Sequence, residues 1–413
     1  MKIRKFFTLV SLSALVLTGC NKENQSQFEK LNIVTNDELK KERNKEKNKE
    51  KASLYLDSAR QSLQDVSALW TNREPGNHVF SPASYLVAWS SLLAVSSQTD
   101  AYQEALCISD PKAERIGLLS SLNGIEKNNW DDDQILTSIK TAAFYQQIGN
   151  KYAFDKKKQE KLASEYVDSG ITDVDHYLSQ AQEYFTEKIG LKRQIPEVFP
   201  DKDSVLVYGG LTRKDNANLG KRSGAFTPLN GVEKTVDAVP IGNHWGTESF
   251  EYYKGENYQR RSLPICSTSL EVILPDEGTD LKDIDIKKAY LDFKENACLT
   301  PLYGYVPFFK TEERIDLTTI ADKVNSDRVV FCSELLKDDV KNDLRIGNVI
   351  QNSNFSFSDK GVEGESITRI ETGSARPQKH PYTEFNVNRP FYAISSYGSL
   401  PLFVNQIVDP VFN

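Results

Sequence analysis

The chain has few of the marks that enzymes, metalloproteins and membrane-spanning proteins carry. Its 413 residues include only four histidines and five cysteines. His78, His176, His244 and His380 lie far apart, without the spacing of a metal-ligand set, and structural roles suit them better. Beyond Cys20, the cysteines are Cys107, Cys266, Cys298 and Cys332, and they form neither a zinc ribbon nor a CxxC pair. In an exported chain they allow two disulfides, but the wide, irregular spacing favours small buried hydrophobes. A GxSxG nucleophile elbow, a GxxxxGK[ST] phosphate loop, a GxGxxG turn and an HExxH helix are all missing. The acids Asp131 to Asp133 sit beside Asn128 and Asn129 in a polar stretch that reads as a loop, with nothing to desolvate and tune a carboxyl group. An enzyme is therefore unsupported, and neither a cofactor nor a metal is expected. No apolar run approaches the length of a bilayer span. The net charge of −7 speaks for solubility rather than for a partner.

The N-terminus carries a targeting pattern. Lys2, Arg4 and Lys5 precede the short apolar run Phe6 to Val16, and "LTGC" ends at Cys20. A small residue before a cysteine resembles a bacterial lipobox, so residues 1–19 are expected to be a lipoprotein signal peptide and Cys20 the lipidated mature N-terminus. An ordinary signal peptide is the alternative. "CNKEN" resembles the charged export tags of some surface lipoproteins, which points to the bacterial outer membrane or cell surface. In "DELKKERNKEKNKEK", Asp37 to Lys51, twelve of fifteen residues are charged. Such a run buries no core and is a solvated helix or a disordered tether. Its five acids against seven bases argue against a nucleic-acid arm. Residues 20–51 are read as a tether and 52–413 as one folded body.

The body opens with Leu56, Ala59, Leu63, Val66 and Trp70 at helical spacing. A turn at Ser81-Pro82 leads into a helix from Tyr85 to Val95 that is apolar nearly all round, as a core helix is. A further helix, an acidic loop and an apolar strand-like segment follow, and Lys156 to Ile189 reads as helical again. From Ser204 onward the runs "SVLVYGGL", "TVDAVPIG", "SLEVILPDEG" and "PLYGYVPFFKTEERIDL" are β-rich and punctuated by turns. Helices first and strands later predict an α+β fold with mainly antiparallel sheets.

Near the C-terminus, "DKGVEGESITRIETGSARPQKHPY" has the composition of a loop and the alternation of a strand. Val362, Gly364, Ser366, Thr368, Ile370, Thr372 and Ser374 are uncharged, while Glu363, Glu365, Arg369 and Glu371 all take the other parity. Period-two alternation marks a strand with one buried face.

Several segments together resemble the serpin family. "NHVFSPASYLVAWSSLL" is similar to the family's Asn and F-S-P-x-S before a buried helix, through Asn77, Phe80, Ser81, Pro82 and Ser84. Leu274 to Glu277 matches an L-P-D-E strand end. Pro307, Phe309, Glu312 and Leu317 fit the family's P-x-F-x-I-E-x-x-x-D-L segment. Asn388, Pro390, Phe391, Pro401, Leu402, Phe403, Val408 and Pro410 fit the terminal pattern. "SDKGVEGES" stands at the hinge, with Gly361 as the hinge glycine. The five segments run in family order from about residue 52 to the end.

The resemblance implies helices packed on mainly antiparallel sheets and an exposed reactive-centre loop. It implies a suicide-substrate inhibitor of serine or cysteine proteases, without catalytic residues of its own. A protease cuts the loop, which then enters a sheet as a new strand; strand addition of this kind is a known mode of peptide recognition in which serpins are a named case. The hinge would be Gly361 and the inserting face Val362, Gly364, Ser366, Thr368 and Ile370. Family spacing from Gly361 puts the reactive bond at Ala375–Arg376, which suits an elastase-like protease; Lys379–His380, which suits a trypsin-like one, is the alternative. Two positions depart from the family. Gln351 stands where a histidine is usual below the insertion point, and Asn216 where a tryptophan is usual. Both leave open a serpin-fold protein that binds without inhibiting, or a plain protease substrate.

Overall fold

The computed structural model describes residues 55–128, 131–195, 197, 200–242, 249–266, 268–320, 329–340, 344–362, 383–398 and 400–411. Seven α-helices are described: α1 (Tyr55–Thr71), α2 (Pro82–Ala94), α3 (Asp100–Leu106), α4 (Pro111–Ser121), α5 (Lys156–Ala163), α6 (Tyr177–Ile189) and α7 (Ile286–Asn296). Strands are numbered in chain order. The sheet that concerns function consists of β2 (Gly124–Asn128), β3 (Asp131–Ile148), β4 (Val167–Thr172), β5 (Ser204–Asn216), β12 (Phe309–Asp316), β15 (Ile350–Ser358) and β16 (Gly361–Val362). Its order is β12-β15-β16-β5-β3-β2, with β4 paired to β3.

The larger sheet runs β1-β19-β18-β10-β9-β8-β11-β7-β6, with β17 added to β11. It comprises β1 (His78–Phe80), β6 (Arg222–Phe226), β7 (Lys234–Ile241), β8 (Ser249–Lys254), β9 (Tyr258–Ile265), β10 (Thr268–Pro275), β11 (Cys298–Pro307), β17 (Thr383–Asn386), β18 (Phe391–Tyr397) and β19 (Leu400–Ile407). A short pair, β13 (Val329–Val330) and β14 (Leu344–Arg345), completes the list of described strands. All pairings are antiparallel except β3–β4 and β11–β17. The α+β class with mainly antiparallel sheets is as the sequence predicts.

Helix α2 is the pivot of the core. Pro82 occupies its first turn, where a missing N–H costs nothing, and the Ser81 hydroxyl caps it by accepting from Ser84 N at 3.3 Å. Phe80, Leu86, Val87, Trp89 and Leu93 are buried. The buried stripe of α1 (Ala59, Leu63, Val66, Trp70) joins the same core cluster.

Three expectations need correction. Lys156 to Ile189 is not one helical stretch, because β4 separates α5 from α6. The acids Asp131 to Asp133 open strand β3 instead of forming a loop. Among the described cysteines Cys332 alone is buried; Cys107, Cys266 and Cys298 are exposed, and none of the four is in a disulfide. Cys107 and Cys266 take left-handed backbone at a helix end and a hairpin turn (φ 53° and 52°), where the chain is at the surface.

Candidate functional site: an open strand lane

The sheet containing β5 has a gap in its middle. Strands β5 and β15 do not pair with each other; the two residues of β16 pair with both. Gly361 lies opposite Asn216 and Ser358, and Val362 opposite Asp215 and Phe357. With one strand position between them, β5 and β15 are held about 10 Å apart, two strand spacings. Beyond Val362 that interval continues as a cleft of about 430 Å³, walled by Ser204–Leu211 of β5 on one side and by residues 346–352 on the other. Its floor is α2, through Ser84, Tyr85, Ala88, Trp89 and Leu92. All residues of β5 from Ser204 to Gly210 are only half-buried, as the flank of a vacant lane should be, whereas Leu211, Arg213 and Asp215 are buried.

Gly361 is the point at which the chain enters the lane. Its φ of +101° suits glycine, and a Cβ there would stand 2.6 Å from Asp215 O and 2.9 Å from Ala217 N. The residues before it are stitched to the end of β5, since Ala217 N donates to Lys360 O at 3.0 Å and Leu219 N to Asp359 O at 2.8 Å. Val362 points into the core and is 3% exposed. Of the residues singled out in the sequence, Gly361 and Val362 thus lie in the sheet. Gly364, Ser366, Thr368 and Ile370, the bonds Ala375–Arg376 and Lys379–His380, and Cys20 lie outside the described residues.

Each wall of the lane is fastened to the start of α2. Gln351, 8% exposed, grips the backbone of Ser81: its Oε1 accepts from Ser81 N at 2.7 Å and its Nε2 donates to Ser81 O at 3.0 Å. Ser353 Oγ also donates to that Oε1 at 2.9 Å. On the β5 side, Ser84 Oγ donates to Gly209 O at 3.0 Å. Gly209 has no room for a side chain, because a Cβ would lie 2.4 Å from Ala88 N and 2.7 Å from Ser84 O.

A strap crosses the outer side. Helix α6 rests on β3 and β5, with Phe185 over Gly210 and Thr212 Oγ1 donating to Ile189 O at 2.6 Å. The chain after it reaches the other wall. Arg193 Nη2 donates to Glu312 Oε1 at 2.6 Å, Asn352 Nδ2 to Gln194 O at 3.2 Å, and Arg314 Nη2 to Glu197 O at 3.0 Å. Arg193 holds the Glu312 carboxyl below its usual range.

Under the entry point lies a polar cluster that the sequence reading did not find. Arg213 and Asp215 form a buried ion pair, with side chains 1% and 0% exposed. Thr137 Oγ1 donates to Asp215 Oδ1 at 2.7 Å, and Thr268 accepts from Arg213. The signal was present: in "SVLVYGGLTRKDN" two opposite charges, Arg213 and Asp215, occupy the parity of Val205, Val207 and Leu211.

The fold and the lane define an α+β protein whose central sheet has room for one further strand. The serpin (serine protease inhibitor) family model matches residues 57–410, and the chain belongs to that family. Among solved structures it is similar to the thermophilic serpin tengpin in its native state (TM-score 0.68, 18% identity, 85% of this chain and 94% of that one). It is also similar to human thyroxine-binding globulin complexed with its hormone (0.71, 15%, 87% and 100%) and to an Arabidopsis serpin in its native stressed conformation (0.67, 16%, 88% and 99%). No curated protein sequence matches the chain.

Proposed function

We propose that this serpin is an inhibitor of extracellular serine or cysteine proteases, acting by loop cleavage and strand insertion. The observation that carries the reading is the register at the mouth of the lane. Gly361 and Val362 occupy the first two positions of a missing strand, with Val362 on the core side. Continuing that register sets Gly364 opposite Arg213, Ser366 opposite Leu211, Thr368 opposite Gly209 and Ile370 opposite Val207. Ser204, the far end of β5, falls opposite Gly373. The face that would be buried is therefore the uncharged parity of the loop, and a buried unpaired charge on it would cost several kcal/mol.

The length of β5 favours Ala375–Arg376 as the reactive bond. A strand filling the lane ends near Gly373, so an acyl-linked protease on Ala375 would be drawn against the far edge of the sheet. On Lys379 it would keep four more residues of slack, roughly 13 Å of extended chain. Alanine before the bond suits an elastase-like enzyme; Arg376 is followed by Pro377, whose tertiary amide resists trypsin-like cleavage. The protein would be tethered through lipidated Cys20 at the bacterial outer membrane or cell surface, the charged segment 37–51 acting as spacer.

The test is to incubate the purified body with an elastase-like and a trypsin-like protease, then run denaturing gels and melt the cleaved product. A covalent complex, cleavage after Ala375 and a large rise in melting temperature are expected. Cleavage with neither complex nor stabilisation would overturn the reading in favour of a non-inhibitory serpin. Thyroxine-binding globulin, named for the hormone it binds, illustrates a binding role on this fold. Labelling with a fatty acid that Cys20→Ser abolishes tests the anchor.

A further inference from the structure

Two Asn-Gly pairs stand in the sequence, Asn123–Gly124 in "LNGIEK" and Asn230–Gly231 in "LNGVEK". An asparagine before glycine is open to spontaneous chemistry, because no Cβ shields the glycine nitrogen from the asparagine side-chain carbonyl. The near-identical flanks make the two pairs equivalent as sequence, so any difference between them comes from the fold.

The first pair is held fast. Asn123 Oδ1 accepts from Thr141 N at 2.8 Å, while Nδ2 donates to Thr141 O at 3.2 Å and to Leu119 O. Its amide is thus bonded to β3 and α4 at once, and Gly124 is paired with Ile139 in the sheet. The second pair stands at the tip of the β6–β7 connection. Leu229 and Val232 beside it are 56% and 67% exposed, Gly231 has φ +75°, and nothing lies within 4 Å of a Cβ built there. The Asn230 side chain bonds locally, its Oδ1 accepting from Val232 N at 3.1 Å. That bond folds the side chain back over the next peptide and brings Cγ alongside Gly231 N. It also sets an N–H donor where negative charge develops as the carbonyl is attacked. Gly231 N itself donates to Pro228 O at 2.9 Å, one turn bond at an exposed tip that opens at little cost.

We propose that Asn230–Gly231 is a self-modification site at which the folded protein deamidates, while Asn123–Gly124 is spared. Solvent base removes the Gly231 N–H proton, and the nitrogen attacks Asn230 Cγ. The new C–N bond closes a succinimide as the Cγ–Nδ2 bond breaks, and the departing amine takes a proton from water and leaves as ammonia. Water then opens either carbonyl of the ring, giving aspartate or isoaspartate with no change of oxidation state. The product carries a new carboxylate three residues before Glu233, and isoaspartate lengthens the main chain by a methylene. The tip residues are exposed, so the fold accommodates both products and the protein grows more acidic as it ages. The inference is independent of the inhibitory reading.

The experiment incubates the full, folded chain at neutral and at mildly alkaline pH, digests it, and follows both peptides by mass spectrometry. A denatured sample runs in parallel. In the folded protein the peptide with Asn230 should gain the mass of an amide-to-acid exchange, faster at the higher pH, while the peptide with Asn123 stays unchanged. Labelling by an isoaspartyl methyltransferase should rise with it, since direct hydrolysis of the amide yields aspartate alone. In the denatured chain both peptides should convert and the preference should vanish. Gly231→Ala, which puts a Cβ beside the nitrogen, should remove most of the mass gain and of the label. The proposal is overturned if Asn123 converts as fast as Asn230 in the folded protein. It is equally overturned if Asn230 persists while the denatured chain converts, or if the acid forms without isoaspartate. Asn230→Asp, which supplies the charge alone, should melt with wild type; a lowered melting temperature would overturn the claim that the fold accommodates the product.

Discussion

Thr368→Arg places a charge where the lane is tightest. In the continued register residue 368 passes between Gly209 and Gln351. At that level β5 touches α2 backbone to backbone, a Cβ on Gly209 meeting Ala88 N at 2.4 Å. Gln351 Oε1 already accepts from Ser81 N and Ser353 Oγ, so this amide is not free to receive a guanidinium. An uncompensated buried charge costs about 3–5 kcal/mol. If the rate-limiting part of insertion feels that cost, insertion slows by roughly 10²- to 10⁴-fold. Hydrolysis of the acyl-enzyme then wins, and the inhibitor becomes a substrate. Glu365→Arg is the control, since residue 365 falls opposite Thr212, on the outer face by the end of α6. Its effect should stay within about 0.5 kcal/mol, or twofold. The assay is the number of inhibitor molecules consumed per protease inactivated, read with the covalent complex on a denaturing gel. Equal loss of complex from both variants would refute the parity argument.

Other perturbations test the surrounding frame. Glu114 is fully buried, accepting from Ser58 Oγ at 2.8 Å and Ser109 N at 3.0 Å, and burial raises its pKa from 4.5 to about 7. Its stabilising contribution is therefore complete below pH 4.5 and lost as pH rises through about 7. The difference is about 3 kcal/mol; denaturant unfolding from pH 5 to 8 should show a decline that Glu114→Gln flattens, and an unchanged slope would refute it. Arg193→Ala loosens the strap from Glu312 and should speed insertion, by at most about fivefold because the pair is half-exposed; stopped-flow fluorescence of complex formation reads this. Gly209→Ala should lower the unfolding free energy by at least about 1–3 kcal/mol through overpacking against α2, whereas Gly347→Ala, with open space around it, should not.

The parts of this fold that were legible in the sequence are those in which one periodicity dominates. The apolar stripe of α1, the nearly all-apolar α2 and the β-rich second half all appear where the pattern puts them. Strand β4 was not legible because "VDSGIT" is a short edge segment, paired only to β3, with Ile171 61% exposed and no inward stripe. The exposed cysteines were misread because spacing carries no information about exposure; a hairpin turn hides in "PICSTS" until Ile265 is seen opposite Thr268. The alternation after Gly361 was legible, but the surface it would meet was not, since the walls of the lane come from segments some 140 residues apart in the chain.

Gln351 shows how a departure from the family pattern becomes a local solution. Read from the sequence, a glutamine in place of the usual histidine casts doubt on the control of sheet opening. In the fold it holds β15 to the backbone of Ser81, while Ser84 separately holds β5 at Gly209. The two walls are thus joined through the first turn of α2 and not directly to each other. A strand can enter between them without breaking either fastening, because both lie beneath the lane on its floor. What must yield is above: the strap from Arg193 to Glu197, held by one half-exposed ion pair and two hydrogen bonds to backbone carbonyls. A glutamine also has no charge to gain between pH 5 and 8, so this fastening, unlike one made by an imidazole, does not loosen or tighten with pH. On the inhibitory reading proposed above, the resistance to insertion would reside in the strap and in α6, on the outer face, and the floor would contribute register.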